Sequence, residues 1–171
     1  REGYEADDIL GTVAKKAQAA GMEVTVVSGD RDLLQLSDAH IKISIPKTSR
    51  GTTDVHTYYP EDVKREYQVT PEQFIDVKAL MGDTSDNIPG VPSIGEKTAT
   101  NLILQFGSMG GVYEHLSEVK PPRAKKSLEE HRDLAELSYK LAKICIDAPV
   151  EFSPEDARIG DFYTKEAYEY M

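Results

Sequence analysis

The chain has 171 residues, with 20 basic against 30 acidic side chains and a net charge of −10. Hydrophobic residues at 39% exclude a disordered chain, and no apolar run approaches the roughly 20 residues needed to span a bilayer. A field this negative repels nucleic acid on average, so any grip on a phosphate backbone has to come from local features.

Glu5 to Ala20 predicts a helix, with Ala6, Ile9, Leu10, Val13, Ala14 and Ala17 at helical spacing and Gly21 as its stop. Glu23 to Ser28 is a short β-branched run bounded by glycines, the pattern of a buried parallel strand. Gly29 to Asp32 is the turn that leaves it, and Leu33 to Leu36 forms one helical turn. Ile41, Ile43 and Ile45 alternate with polar residues as a half-buried strand does. Thr48 to Thr53 reads as a polar hairpin loop, and Val55 to Tyr58 as the returning strand. Together these elements predict an α/β layer over residues 1–59.

From Pro60 the chain turns helical. Pro60 starts a helix to Tyr67, and Thr70 followed by Pro71 caps another that runs to Met81. Gly82 to Ile94 is irregular, and Glu96 to Phe106 is helical again. Gly107-Ser108 and Gly110-Gly111 read as breaks before a short helix at Val112 to Leu116. Ser127 to Ile144 predicts one amphipathic helix, with Leu134, Leu137, Leu141 and Ile144 as its core stripe. Residues 60–147 are thus an all-helical region. Residues 148–171, with Pro149 and Pro154, read as a linker in which Tyr163 to Met171 restarts a helix. The single Cys145 makes a reducing cytoplasm the default compartment. The opening on Arg1 reads as a cut from a longer protein.

Three acidic clusters stand at element ends: Glu5, Asp7 and Asp8; Asp30 and Asp32; Asp83 and Asp86. Each alone has an ordinary explanation, as a helix-start charge or a turn residue. Together they point elsewhere. Ligands of open α/β sheets sit beyond the carboxyl ends of strands, where Asp30 and Asp32 lie. Carboxylates gathered there repel unless cations neutralise them, and hard divalent ions take oxygen ligands. Without paired cysteines or clustered histidines, zinc is disfavoured. A second signal is the run Gly90-Val91-Pro92-Ser93-Ile94-Gly95-Glu96-Lys97-Thr98-Ala99. A glycine-rich turn entering a helix N-terminus presents free amides to a phosphate, and Lys97 adds a cation. This pattern resembles the helix–hairpin–helix class of DNA-backbone binders.

The segments Gly3 to Asp8, Ser28 to Leu33, Met81 to Val91 and Ile94 to Ala99 occur in the order found in the bacterial 5′-nuclease family. That family holds the 5′→3′ exonuclease domains of DNA polymerase I and is related to the flap endonucleases. The resemblance implies a PIN-like parallel-sheet core, present here in part, followed by a helix–three-turn–helix subdomain. It implies two Mg²⁺ or Mn²⁺ ions on Glu5, Asp7, Asp8, Asp30, Asp32, Asp83 and Asp86. It implies contacts to duplex backbone through Gly90, Val91, Ser93, Ile94, Gly95, Lys97 and Thr98, with K⁺ on the hairpin carbonyls. The implied reaction is phosphodiester hydrolysis near a 5′ end, on flapped, nicked or gapped DNA, with no membrane involved. Phe162 to Ala167 reads as the opening of a following polymerase domain. In the family a first strand, further aspartates and a basic arch precede the segment matching Arg1 to Tyr4, so this chain alone is expected to fold in part or in whole but not to cleave. The alternatives are a standalone 5′-nuclease, a non-catalytic DNA-binding module, and a phosphatase built on Asp30 and Asp32.

Overall fold

A computed structural model describes residues 2–49, 51–160 and 169. Helix α1 (Ala6–Ala19) starts where Asp8 reaches back to the Glu5 amide, and it buries a small-residue face of Gly11, Thr12, Ala14 and Ala17. Strand β1 (Val24–Val27) runs parallel to β2 (Ile41–Ser49), and β2 pairs antiparallel with β3 (Thr52–Tyr58), giving a mixed sheet in the order β1-β2-β3. The link between β1 and β2 is a 3₁₀ turn, Asp32–Leu36, whose Leu33, Leu34 and Leu36 all point into the core. With Ile41, Ile43, Ile45 and Tyr58 they form the first of two hydrophobic clusters.

The second cluster lies among the helices: α2 (Pro60–Tyr67), α3 (Pro71–Met81), α4 (Glu96–Phe106), α5 (Met109–Glu114), α6 (Pro122–Glu130) and α7 (Arg132–Ala142). Thr70 and Gln73 cap α3 reciprocally, Gln73 N–H donating to Thr70 Oγ1 at 3.3 Å and Thr70 N–H to Gln73 Oε1 at 3.1 Å. Leu80, Ile103 and Leu128 are fully buried in this cluster, each contributing about 1.5–3 kcal/mol from apolar burial. Val63 on α2 belongs to the first cluster. Tyr67 and Phe74 meet edge to face at 5.2 Å and pack against both clusters, so the seam between the regions is itself apolar. Among the described residues no helix is long and apolar enough to cross a membrane.

Four sequence expectations change. The strand at Glu23 to Ser28 is parallel as expected but buries only Val26, while Val27 is 63% exposed. Among the described residues β1 lies at the edge of the sheet, so alternate side chains meet solvent. The loop expected at Thr48 to Thr53 is mostly strand. Thr48 pairs with Thr53 and Ser49 with Thr52, with the two threonine hydroxyls 2.9 Å apart, and Gly51 at φ +82° makes the tight turn. Gly110 and Gly111 lie inside α5, which the Ser108 hydroxyl caps by accepting the Gly111 N–H at 3.1 Å. Gly111 is small because a Cβ there would collide with the Phe106 carbonyl. Finally, the helix expected over Ser127 to Ile144 breaks at His131. The break resets the helical phase, and Ala135, Ser138 and Ala142 turn inward while Leu137 and Leu141 are left exposed. The small residues allow α7 to lie close against α3, which a leucine stripe would prevent. The helix expected at Tyr163 to Met171 lies outside the described residues, apart from Glu169.

Candidate metal centre and phosphate-binding turn

The three acidic clusters converge at the seam. Asp30 ends the turn after β1, where its carboxylate accepts the Asp32 N–H at 2.9 Å and so fixes the local bend. Asp7, on the first turn of α1, comes close to Asp30. Burial, followed by the charges of Asp30, Asp32 and Glu5, pushes the Asp7 carboxyl up to about 6. Two carboxylates brought this close repel, which favours a proton or a cation beside them.

Asp32 faces the other way, toward Lys78, a residue that the sequence reading passed over. Lys78 lies on α3 with only 5% of its side chain exposed. Its ammonium contacts Asp32, Asp86 at 2.8 Å and Asp83 at 3.1 Å. Those partners outweigh burial and hold Lys78 protonated, well above its ordinary value. Burial raises the Asp32 carboxyl despite the lysine. Asp83 is held down at about 2, chiefly by the Ser85 hydroxyl and also by the Ser85 amide and Lys78. The legible signal for Lys78 is a lone cation inside the apolar run of α3, Phe74 to Met81. A lysine buried there requires acidic partners.

Glu5 is exposed at the N-cap of α1, beside this group. Asp8 is directed elsewhere. Its two oxygens accept the Glu5 N–H at 3.0 Å and the Cys145 N–H at 2.8 Å. As the side chains stand, no group of three His, Cys, Asp or Glu among the described residues is placed to hold a metal ion. The donor set nevertheless fits one. The close approach of Asp7 to Asp30 and the Lys78 ammonium mark the two places where the carboxylates require positive charge. A cavity of about 270 Å³ opens beside them, lined by Arg31, Asp32, Lys78 and Asp83 together with Tyr67 and Phe74.

The glycine-rich turn sits between α3 and α4. Asp83 and Ile88 bridge the loop, donating to each other at 2.9 and 2.8 Å. Gly82 and Gly90, both at positive φ, cross backbone on backbone, and a Cβ on Gly90 would strike the Gly82 amide. Three residues expected to touch DNA are internal to this turn. Val91 and Ile94 are 2% and 4% exposed in the helical core, and the Gly90 N–H is already donated to Ser138 Oγ at 2.9 Å. They shape the turn rather than line its surface, because a tight crossing of chains has to bury something at its centre. Gly95, Glu96 and Lys97 head α4, and their amides have no backbone acceptor among the described residues. Lys97 and Thr98 stand on this first turn, and Ser93, at φ +67°, receives Arg123 Nη2 at 3.1 Å.

The family described as 5′-3′ exonuclease, C-terminal SAM fold, matches residues 69–165, and that described as 5′-3′ exonuclease, N-terminal resolvase-like domain, matches residues 1–68. The chain belongs to the 5′-3′ exonuclease family. It is 54% identical over 155 residues to DNA polymerase I of Bacillus caldotenax and 53% identical over 152 residues to that of Bacillus subtilis. The matches cover 91% and 89% of this chain but 17% of each polymerase. Among solved structures, T5 5′-exonuclease with divalent zinc ions superposes at a TM-score of 0.72 and 28% identity, over 85% of this chain and 52% of that one. A T5 flap endonuclease complex with DNA and metal ions gives 0.71 at 27% identity, with the same coverage. The catalytic core of Rad2 shares the fold alone, at a TM-score of 0.55 and 15% identity. The two family matches divide the chain close to where the mixed α/β layer gives way to the helical region.

Proposed function

We propose that this chain is part of the 5′→3′ exonuclease of a bacterial DNA polymerase I, hydrolysing phosphodiesters at DNA 5′ ends in a divalent-metal-dependent reaction. The observation that carries the reading is the joining of carboxylates from α1, the β1 turn and the α3–α4 loop at one seam, beside free helix-start amides. The acids repel a phosphate unless cations intervene, so a pure DNA-binding module gains nothing from them. Asp7, Asp30 and Glu5 on one side, and Asp32, Asp83 and Asp86 on the other, are the residues that would hold Mg²⁺ or Mn²⁺. Bound there, such ions supply a water of lowered pKa and neutralise charge at phosphorus. Lys78 keeps its three acids together and offsets one of their charges, leaving the remainder for cations. The amides of Gly95, Glu96 and Lys97 with the Lys97 ammonium hold a backbone phosphate without reading bases. Hairpin carbonyls would take K⁺.

The substrate we infer is flapped, nicked or gapped duplex, and the partner is the rest of a polymerase chain in a bacterial cytoplasm. Residues 1–59 would form the nuclease layer, 60–147 the DNA grip and 148–171 the link onward. The test is cleavage of a 5′-flap duplex by the full-length protein. Activity with Mg²⁺ or Mn²⁺ should vanish with EDTA and fall by orders of magnitude in Asp30→Asn and Asp83→Ala, with duplex affinity retained. Undiminished cleavage in both variants would overturn the reading.

A further inference from the structure

Resting on the metal-site reading above, we propose that Asp8 is a positioning residue and not a metal ligand. It is a joint that fastens the acidic start of α1 to the chain leaving α7. Neighbouring residues of a helix point about 100° apart, so Asp7 and Asp8 do not serve the same point. Asp7 turns to Asp30. Asp8 turns to the opposite contact, where Oδ1 accepts the Cys145 N–H at 2.8 Å while Oδ2 accepts the Glu5 N–H at 3.0 Å. Both oxygens accept backbone donors, which fixes the carboxylate in place, turned toward residue 145.

The next turn of α1 continues the same contact. Thr12, fully buried, accepts the Ala148 N–H at 3.0 Å and donates to the Cys145 carbonyl at 3.4 Å. Gly11 lies so close to Ile144 that a Cβ would come within 2.9 Å of its Cγ2. Residues 8, 11 and 12 share one helical face, and that face holds residues 144–148. This segment follows α7 directly, and α7 is bonded to the glycine-rich turn through Ser138 and Gly90. A single helix therefore joins the turn that would hold a phosphate to the helix start that carries Glu5 and Asp7. Asp8 closes that connection at the metal end and, through the Glu5 amide, sets where the Glu5 side chain begins.

The experiment compares Asp8→Asn, Asp8→Ala and Asp7→Asn in the full-length protein. An asparagine oxygen still accepts the Cys145 N–H, whereas alanine offers no acceptor. Hydrogen–deuterium exchange of peptides spanning 143–149 should accelerate in Asp8→Ala and remain slow in Asp8→Asn. On the flap duplex, Asp8→Ala should lower kcat and Asp8→Asn should restore most of it. The Mn²⁺ midpoint should stay within about threefold in Asp8→Asn and move by about tenfold or more in Asp7→Asn, which removes a charged oxygen ligand. A Mn²⁺ midpoint displaced in Asp8→Asn as far as in Asp7→Asn, or exchange at 143–149 unchanged in Asp8→Ala, would overturn the joint. A midpoint unmoved by both Asp7→Asn and Asp30→Asn would instead overturn the metal-site reading, and the exchange experiment still decides the role of Asp8.

Discussion

In the helical region the glycine-rich turn is held by shape. Gly82 and Gly90 pass so closely that neither tolerates a side chain, and Val91 and Ile94 anchor the turn in a core built from α3, α4, α5, α6 and α7. Where the α/β region meets the helices, the acidic cluster is held by charge. Burial and the crowding of Asp30 push the Asp7 carboxyl up to about 6, and Asp32, Asp83 and Asp86 are drawn together by Lys78, itself contributed by the helical side. The first arrangement is set by backbone packing and changes little with pH. The second stores repulsion that protons or cations relieve, so its stability and its function should depend on the same variables.

The comparison breaks first at Gly90. Gly90→Ala should cost about 4 kcal/mol or more, because the new Cβ strikes the Gly82 backbone and the residue sits at φ +63°. Gly95→Ala, with open space around it and φ −94°, should leave the melting temperature nearly unchanged. Thermal denaturation of the pair is the check, and equal losses would show that shape does not hold the turn.

Removing the charge that joins the regions comes next. Lys78→Met should lower stability by about 3 kcal/mol, since a buried cation leaves its carboxylates facing one another. Millimolar Mn²⁺ should restore more of the melting temperature in this variant than in the parent. A deficit indifferent to metal would mean that Lys78 does not mark a cation position.

The pH response sharpens the contrast further. Asp7 binds its proton more tightly folded, at about 6, than unfolded, at 3.8. Across that window the native state carries the extra proton, so its stability falls as pH rises from 3.8 toward 6. Asp83 works in the opposite sense. Lowered to about 2, it contributes stability above 3.8 that is lost as pH falls toward 2. Urea denaturation between pH 4 and 7 should show the decline flattened in Asp7→Asn, and an unaltered slope would remove Asp7 from the seam.

Smaller effects come from the exposed phosphate contact and from the outer face of α7. Lys97→Ala should weaken duplex binding alike for unrelated sequences and reduce the salt slope by about one. Filter binding at several salt concentrations tests this, and a loss confined to one sequence would contradict a backbone grip. Leu141→Lys, at a position 54% exposed, should change stability by about 0.5 kcal/mol or less. A larger loss in a melting experiment would return that leucine to the core.

Much of this was written in local pattern. The Thr70-Pro71 cap, the run from β1 into Asp30 and Asp32, and the Gly90 to Ala99 turn follow from residues a few positions apart. Capping, periodicity and turn chemistry act over that range, so a single sequence exposes them. Local pattern also located the acids at element ends, although not which of them meet.

Tertiary structure decided the rest, because those outcomes depend on neighbours distant in sequence. Lys78 and Asp32 are 46 residues apart, so nothing local marks their ion pair. Asp7 and Asp8 are adjacent and chemically alike, yet one faces Asp30 and the other Cys145, a choice made by the packing of α1. The leucines of α7 are exposed because a break at His131 turned its small residues toward α3. Periodicity fixes which side chains share a helical face, and only the packed chain fixes which face is buried.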